Sequence, residues 1–176
     1  MLVRLHEARA DGEPGFTLVE LLVALTVFGI LAGLGGTGFS AVQKSLEARG
    51  AHREIVSILR TVQARSVAEN VAYCVAFSAG ATPNSWTVYR VPGADQGSLP
   101  GSFSCTSGTS VDAYQTPGAT SFSSIAFAQR NGTSTNYVLF FARGAASGGG
   151  FMVGGGAPAY TITVDALTGR VTSSGA

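Results

Sequence analysis

Glu20 is the residue that most needs a chemical explanation. It is a lone carboxylate at the head of an uncharged apolar run, in the stretch EPGFTLVELLVALTVFGIL that covers residues 13–31. An ionised acid beside hydrocarbon is costly unless a partner neutralises it or a task requires it. Other chemically capable residues are sparse. Cys74 and Cys105 are the two cysteines, and His6 and His52 lie far from both in the sequence, so no metal cluster is expected. Asp95, Asp112 and Asp165 are too widely spaced for a calcium loop. The segment after residue 70 has no histidine, no GxSxG and no paired acids to activate a nucleophile or a water. Neither an enzyme nor a cofactor is expected. The cysteines form one disulfide if this part of the chain is exported; otherwise they are two thiols, one buried and one exposed.

The element that carries Glu20 is an apolar segment. No residue from Leu21 to Val42 is charged, and as a helix this covers about 33 Å, enough to span a bilayer core. A secretory signal would place its small-residue cut after the apolar region. Here Pro14-Gly15 precedes it, so cutting after Gly15 keeps the segment. Gly33, Gly35, Gly36 and Gly38 crowd its second half and predict a weak helix there, or close packing by small residues. The chain length suits one domain plus this segment. Charged residues make up 12% and the formal charge is +1, which excludes a general polyanion-binding surface.

Gly15-Phe16-Thr17-Leu18-Val19-Glu20 followed by Leu-Leu-Val-Ala-Leu resembles the class III signal of type IV pilins and type II secretion pseudopilins. The resemblance implies the pilin fold, an α+β arrangement with a long N-terminal helix on an antiparallel β head. It implies cleavage between Gly15 and Phe16 by a prepilin peptidase and methylation of the new Phe16 amine. It also implies assembly in which Glu20 attracts the Phe16 amine of a neighbouring subunit, which would answer the question Glu20 poses. An ordinary membrane anchor with an incidental acid is the alternative. The leader departs from the family, since Glu7, Asp11 and Glu13 outnumber Arg4 and Arg9 and weaken the positive-inside bias. The implied partners are other pilin or pseudopilin subunits, the peptidase, an inner-membrane assembly platform, and membrane lipid before assembly. The implied location is the inner membrane with the head exported, then the filament.

The expected organisation is a leader at 1–15, a transmembrane and assembly helix at 16–42, an amphipathic continuation at 43–70 and a β-rich head at 71–176. In the continuation Val42, Leu46, Ile55, Ile58, Leu59, Val62 and Ser66 recur at spacings of three and four and predict the face that covers a sheet. Strands are expected at 71–77, 86–91, 123–128, 137–142, 151–153, 160–164 and 170–172, with a turn over 79–84 and a long loop over 92–121. Asn131-Gly132-Thr133 fits a glycosylation sequon or a turn.

The tail, LFFARGAASGGG and then YTITVDALTGRVT, resembles the minor pilin FimT and pseudopilin H group. Some FimT-like pilins bind DNA through a Gly-Arg-x-Arg tail. Here Gly169-Arg170-Val171-Thr172 lacks the second arginine, and one arginine supports little phosphate affinity. The sequence therefore predicts a structural minor subunit of a type IV pilus or secretion pseudopilus. DNA uptake through Arg170 and a non-polymerising membrane protein are the alternatives.

Overall fold

A computed structural model describes residues 15–80, 83–94, 103–116, 118, 120–128, 132–154 and 159–175, and within the helix nothing is said of the side chains of 34–38. Most of the leader, Asp95 and Asn131 of the sequon lie outside the described residues, as do the side-chain environments of Gly35, Gly36 and Gly38. The chain divides into two compact units, Met1–Ser40 and Ala41–Ala176.

Helix α1 runs from Leu18 to Ala68, a stretch without proline. Its backbone continues through the glycine-rich segment that the sequence marks as weak. Its end is well defined. Asn70 takes a left-handed backbone at φ 51°, the Val71 N–H donates to Ser66 O and the Asn70 N–H donates to Val67 O. That pair of bonds is a Schellman cap, and asparagine tolerates the left-handed position better than most residues.

Within the second unit, strands β1 (Ala72–Ser78), β2 (Ser85–Val91), β3 (Thr109–Gln115) and β6 (Tyr137–Phe140) form one sheet in the order β3-β2-β1-β6. Strands β4 (Ser121–Ala128), β5 (Ser134–Thr135), β7 (Gly149–Gly154), β8 (Tyr160–Val164) and β9 (Val171–Gly175) form the other, in the order β5-β4-β7-β8-β9. Every pairing is antiparallel. One core joins Ile55, Leu59 and Val62 of α1 to Tyr73, Val75 and Phe77 of β1 and to Phe127, Phe151, Ile162 and Val171 of the second sheet.

The other face of β1 is buried as well. Ala72 and Cys74 pack there with Val91, Cys105, Leu139 and Phe141 in a second cluster. Cys74 and Cys105 are joined as a disulfide, with Cα atoms 5.6 Å apart, and Cys105 opens a short 3-10 helix, Cys105–Ser107. The loop expected over 92–121 is corrected by this arrangement, because it contains β3. That strand is mostly exposed and is held by backbone pairing to β2, so it has no hydrophobic alternation to read.

Two helix positions are also corrected. Val42 and Leu46, expected on the sheet-facing side, are 58% and 61% exposed, while Ala48, Ala51 and Val56 are buried. The periodicity was sound but its phase was set by small residues. Strand β6 stops at Phe140 because the Phe141 N–H turns to Ala145 O, and β9 begins one residue later than expected. The β8 alternation holds, with Ile162 and Val164 buried and Thr163 exposed.

Glycine is required where backbones approach closely, as at Gly150 and Gly169. A Cβ on Gly150 would stand 2.5 Å from Ile162 O, so glycine lets β7 lie against β8. Gly169, at φ +61°, closes the β8–β9 turn where a Cβ would meet Gly144 O at 2.5 Å.

A polar clasp fixes the last turn of α1. The Tyr73 hydroxyl donates to Glu69 Oε2 at 2.6 Å. Arg65 lies 3.4 Å from both Glu69 and Asp112, and Arg90 lies 3.6 Å from Glu69. The Tyr73 hydrogen bond, then Arg65 and Arg90, hold the Glu69 carboxyl below its ordinary range, while burial and then Glu69 push Tyr73 up.

Candidate assembly interface

The first turn of α1 is built by Thr17. Its carbonyl accepts the first helical bond, from the Leu21 N–H at 3.1 Å, and its Oγ1 accepts from the Glu20 N–H at 3.2 Å. Thr17 is thus the N-cap and Glu20 stands at the third helical position, the T-x-x-E arrangement of a capping box. The sequence reading missed Thr17, although a threonine three residues before a glutamate was the available signal. Glu20 also lies where the helix dipole favours a negative charge. That interaction is too weak to explain a carboxylate committed to an apolar environment. Among the described residues no cation lies within 4 Å of Glu20, whose residue is exposed.

Gly15 and Phe16 precede the helix in an extended segment. A Cβ on Gly15 would meet nothing within 4 Å, and its φ is not in the left-handed region. Nothing in the fold of the single chain requires glycine there. Phe16 is 81% exposed. The structure therefore brings Phe16, Thr17 and Glu20 together at one helix end and leaves them open.

Beyond them the apolar side chains stand outward around the helix. Leu18, Leu21, Leu25, Phe28, Leu31 and Phe39 are all exposed. Monomers in water do not keep apolar surface of this extent bare. Among the described residues, no helix is long and apolar enough to cross a membrane. The side chains of 34–38, inside the expected span of 16–42, are outside that set.

Residues 12–36 match the family described as the prokaryotic N-terminal methylation motif. That motif is the type IV pilin and pseudopilin signal. No curated protein and no solved structure matches the chain. The matched segment includes Gly15, Phe16, the N-cap Thr17 and Glu20, and the chain has the α+β architecture the signal implies, a helix followed by antiparallel sheets. The match covers the signal segment alone, and that signal supports a pilin-like or pseudopilin subunit.

The other predicted positions belong to the second compact unit. The Cys74–Cys105 bridge lies in the head under the second cluster. Arg170 follows the β8–β9 turn, exposed, with its N–H donating to Thr168 Oγ1. That turn is rigid: Asp165 Oδ1 accepts from the N–H groups of Leu167 and Thr168 and from the Thr168 hydroxyl. The Thr168 bonds, and then Leu167, lower the Asp165 pKa. Thr172, where a second arginine would stand, is an exposed residue of β9.

Proposed function

We propose that this chain is a minor pilin or pseudopilin, of the FimT and pseudopilin H type, assembled into a type IV pilus or secretion pseudopilus. A prepilin peptidase cuts between Gly15 and Phe16 and methylates the Phe16 amine. Before assembly the segment 16–42 lies in the inner membrane with the head exported. On the assembly platform the apolar helices of adjoining subunits bury one another, and Glu20 of one copy pairs with the Phe16 amine of the next.

The observation that carries this reading is the coincidence of three features: the methylation motif at 12–36, an exposed apolar helix surface beginning at the same place, and a carboxylate with no cation within 4 Å among the described residues. Close packing of the apolar side chains supplies most of the adhesion, because for helices leaving a bilayer the gain comes from packing rather than from removal from water. The Glu20 pair sets axial register, because an unpaired buried charge costs several kcal/mol and pairing removes that cost.

Co-expression with a prepilin peptidase tests the processing step. The mature mass is expected to begin at methylated Phe16; material that still begins at Met1 sinks the reading. Glu20→Ala is expected to lower incorporation into filaments at least tenfold without changing the head. DNA uptake has only Arg170 in its favour, and a salt-dependent gel shift with the full chain in detergent is expected to show no specific complex.

A further inference from the structure

A cleft of about 590 Å³ lies between the outer flank of α1 and strand β9, lined among others by His52, Arg53, Ser57, Arg60 and Ser173. Three observations make it more than a surface dent. The first is charge. Arg53 and Arg60 are exposed on the same side of α1, and among the described residues neither has a carboxylate within 4 Å. Arg60 is turned inward, with Nη2 donating to Val171 O at 3.2 Å.

The second is an open sheet edge. Strand β9 ends its sheet. The Asp165 N–H donates to Arg170 O, and in an antiparallel ladder the inward bonds fall on alternate residues, so Thr172 and Ser174 face β8 while Val171, Ser173 and Gly175 turn their N–H and C=O groups away from it. The Arg60 bond to Val171 O agrees with that phase. Natural edges are usually blunted by a charge, a proline or a bulge. Residues 172–175 carry no charge and no proline.

The third is span. Seven helical residues place the Cα atoms of Arg53 and Arg60 about 10.5 Å apart. Same-face side chains of a strand stand about 7 Å apart at i,i+2 and about 14 Å apart at i,i+4, and the arginine stems bridge the difference. Thr61 is already committed, its hydroxyl donating to Ser57 O at 2.9 Å. His52 forms the inner wall, stacked on Tyr160 at 4.5 Å. Its Nε2 has no hydrogen-bond partner among the described residues.

The geometry points to a peptide-binding cleft: an extended acidic segment of a partner protein adds to the free edge of β9, and its carboxylates take Arg53 and Arg60. Backbone bonds to Ser173 and Gly175 supply register, and the guanidinium groups select acidic side chains at alternate positions. A nucleic acid would use the same arginines but has no use for the β9 edge. This inference does not depend on leader cleavage or filament formation.

The test uses the full chain in detergent micelles and a fluorescein-labelled octapeptide of alternating threonine and glutamate. Saturable binding is expected, and a threonine–lysine octapeptide is expected not to bind. Arg53→Gln, which removes no described contact of the fold, is expected to weaken binding at least tenfold. Ser173→Pro is expected to do the same while leaving the β8 pairing intact, because the N–H it deletes faces outward. Amide exchange at Ser173 and Gly175 is expected to slow in the complex. Absence of saturable binding, equal binding by either variant, equal binding of the lysine peptide, or capture of a single-stranded oligonucleotide in place of the acidic peptide would each overturn the proposal.

Discussion

Leu25 and Leu59 are the same residue type in the same helix, yet one is 62% exposed and the other fully buried. Around Leu59 the chain supplies its own partners, with Ile55, Val62 and the aromatic residues Phe77, Phe127 and Phe151 in one core. Around Leu25, among the described residues, the helix side chains stay exposed. Leucine and valine occur in both places, but the segment around Leu25 is uncharged from Leu21 to Val42, whereas the segment around Leu59 intersperses Arg53, Glu54, Arg60 and Arg65. The head buries its own apolar face, and the segment before it leaves its apolar side chains exposed.

That contrast can be broken or sharpened by substitutions of matched chemistry. The largest expected effect lies in the head. Replacing both Cys74 and Cys105 by serine releases a link across 31 residues, and loop entropy puts its contribution near 4 kcal/mol. Denaturant unfolding of the head is expected to shift by about that amount, with peptidase processing at Gly15 unchanged. Leu59→Ala is expected to cost the head about 3 kcal/mol through transfer and cavity terms. Leu25→Ala is expected to leave head unfolding within about 0.5 kcal/mol of the parent and to lower filament incorporation instead. Equal destabilisation of the head by both leucine variants would abolish the distinction.

Thr17→Ala removes the N-cap bond to Glu20, at about 1 kcal/mol for the first helical turn. Slower amide exchange at Glu20 in the parent than in the variant is the readout.

The smallest effect is on pH dependence. Glu69 and Asp165 have lowered pKa values in the fold, so their contribution is present above the ordinary carboxylate pKa and is lost as pH falls through about 4 and below. His52 is also lowered, by burial and then by Arg53. The unfolded chain takes up its proton first, so stability is complete above about pH 6.5 and declines as pH falls from there. Unfolding midpoints measured between pH 8 and pH 3 are expected to fall in those two stages. His52→Phe is expected to flatten the upper stage alone.

Legibility followed the range of the interactions concerned. The hexapeptide Gly15 to Glu20 was readable as a signal because the motif and its isolated charge are local features. The β8 strand was readable because Thr161 to Val164 alternates cleanly against a buried face. Strand β3 was not, since Thr109 to Gln115 is an edge segment held by backbone pairing to β2 and has little side-chain burial to advertise. The cleft at β9 was not legible either. Arg53 and Arg60 belong to α1, and Ser173 lies over a hundred residues away in the chain.

By itself the sequence determined the processing signal, the apolar stretch with its single acid, and the change from a helical to a strand period near Asn70, because each is written in neighbouring residues. The spacing placed Ile55, Leu59, Val62 and Ser66 on the buried face, and tertiary structure alone decided where that face begins. It turned Val42 and Leu46 outward and chose Ala48 and Ala51 for the inner face. Spacing fixes which side chains share a helix face. Which face is buried depends on how closely backbones approach, and that distance is set by distant strands rather than by the helix.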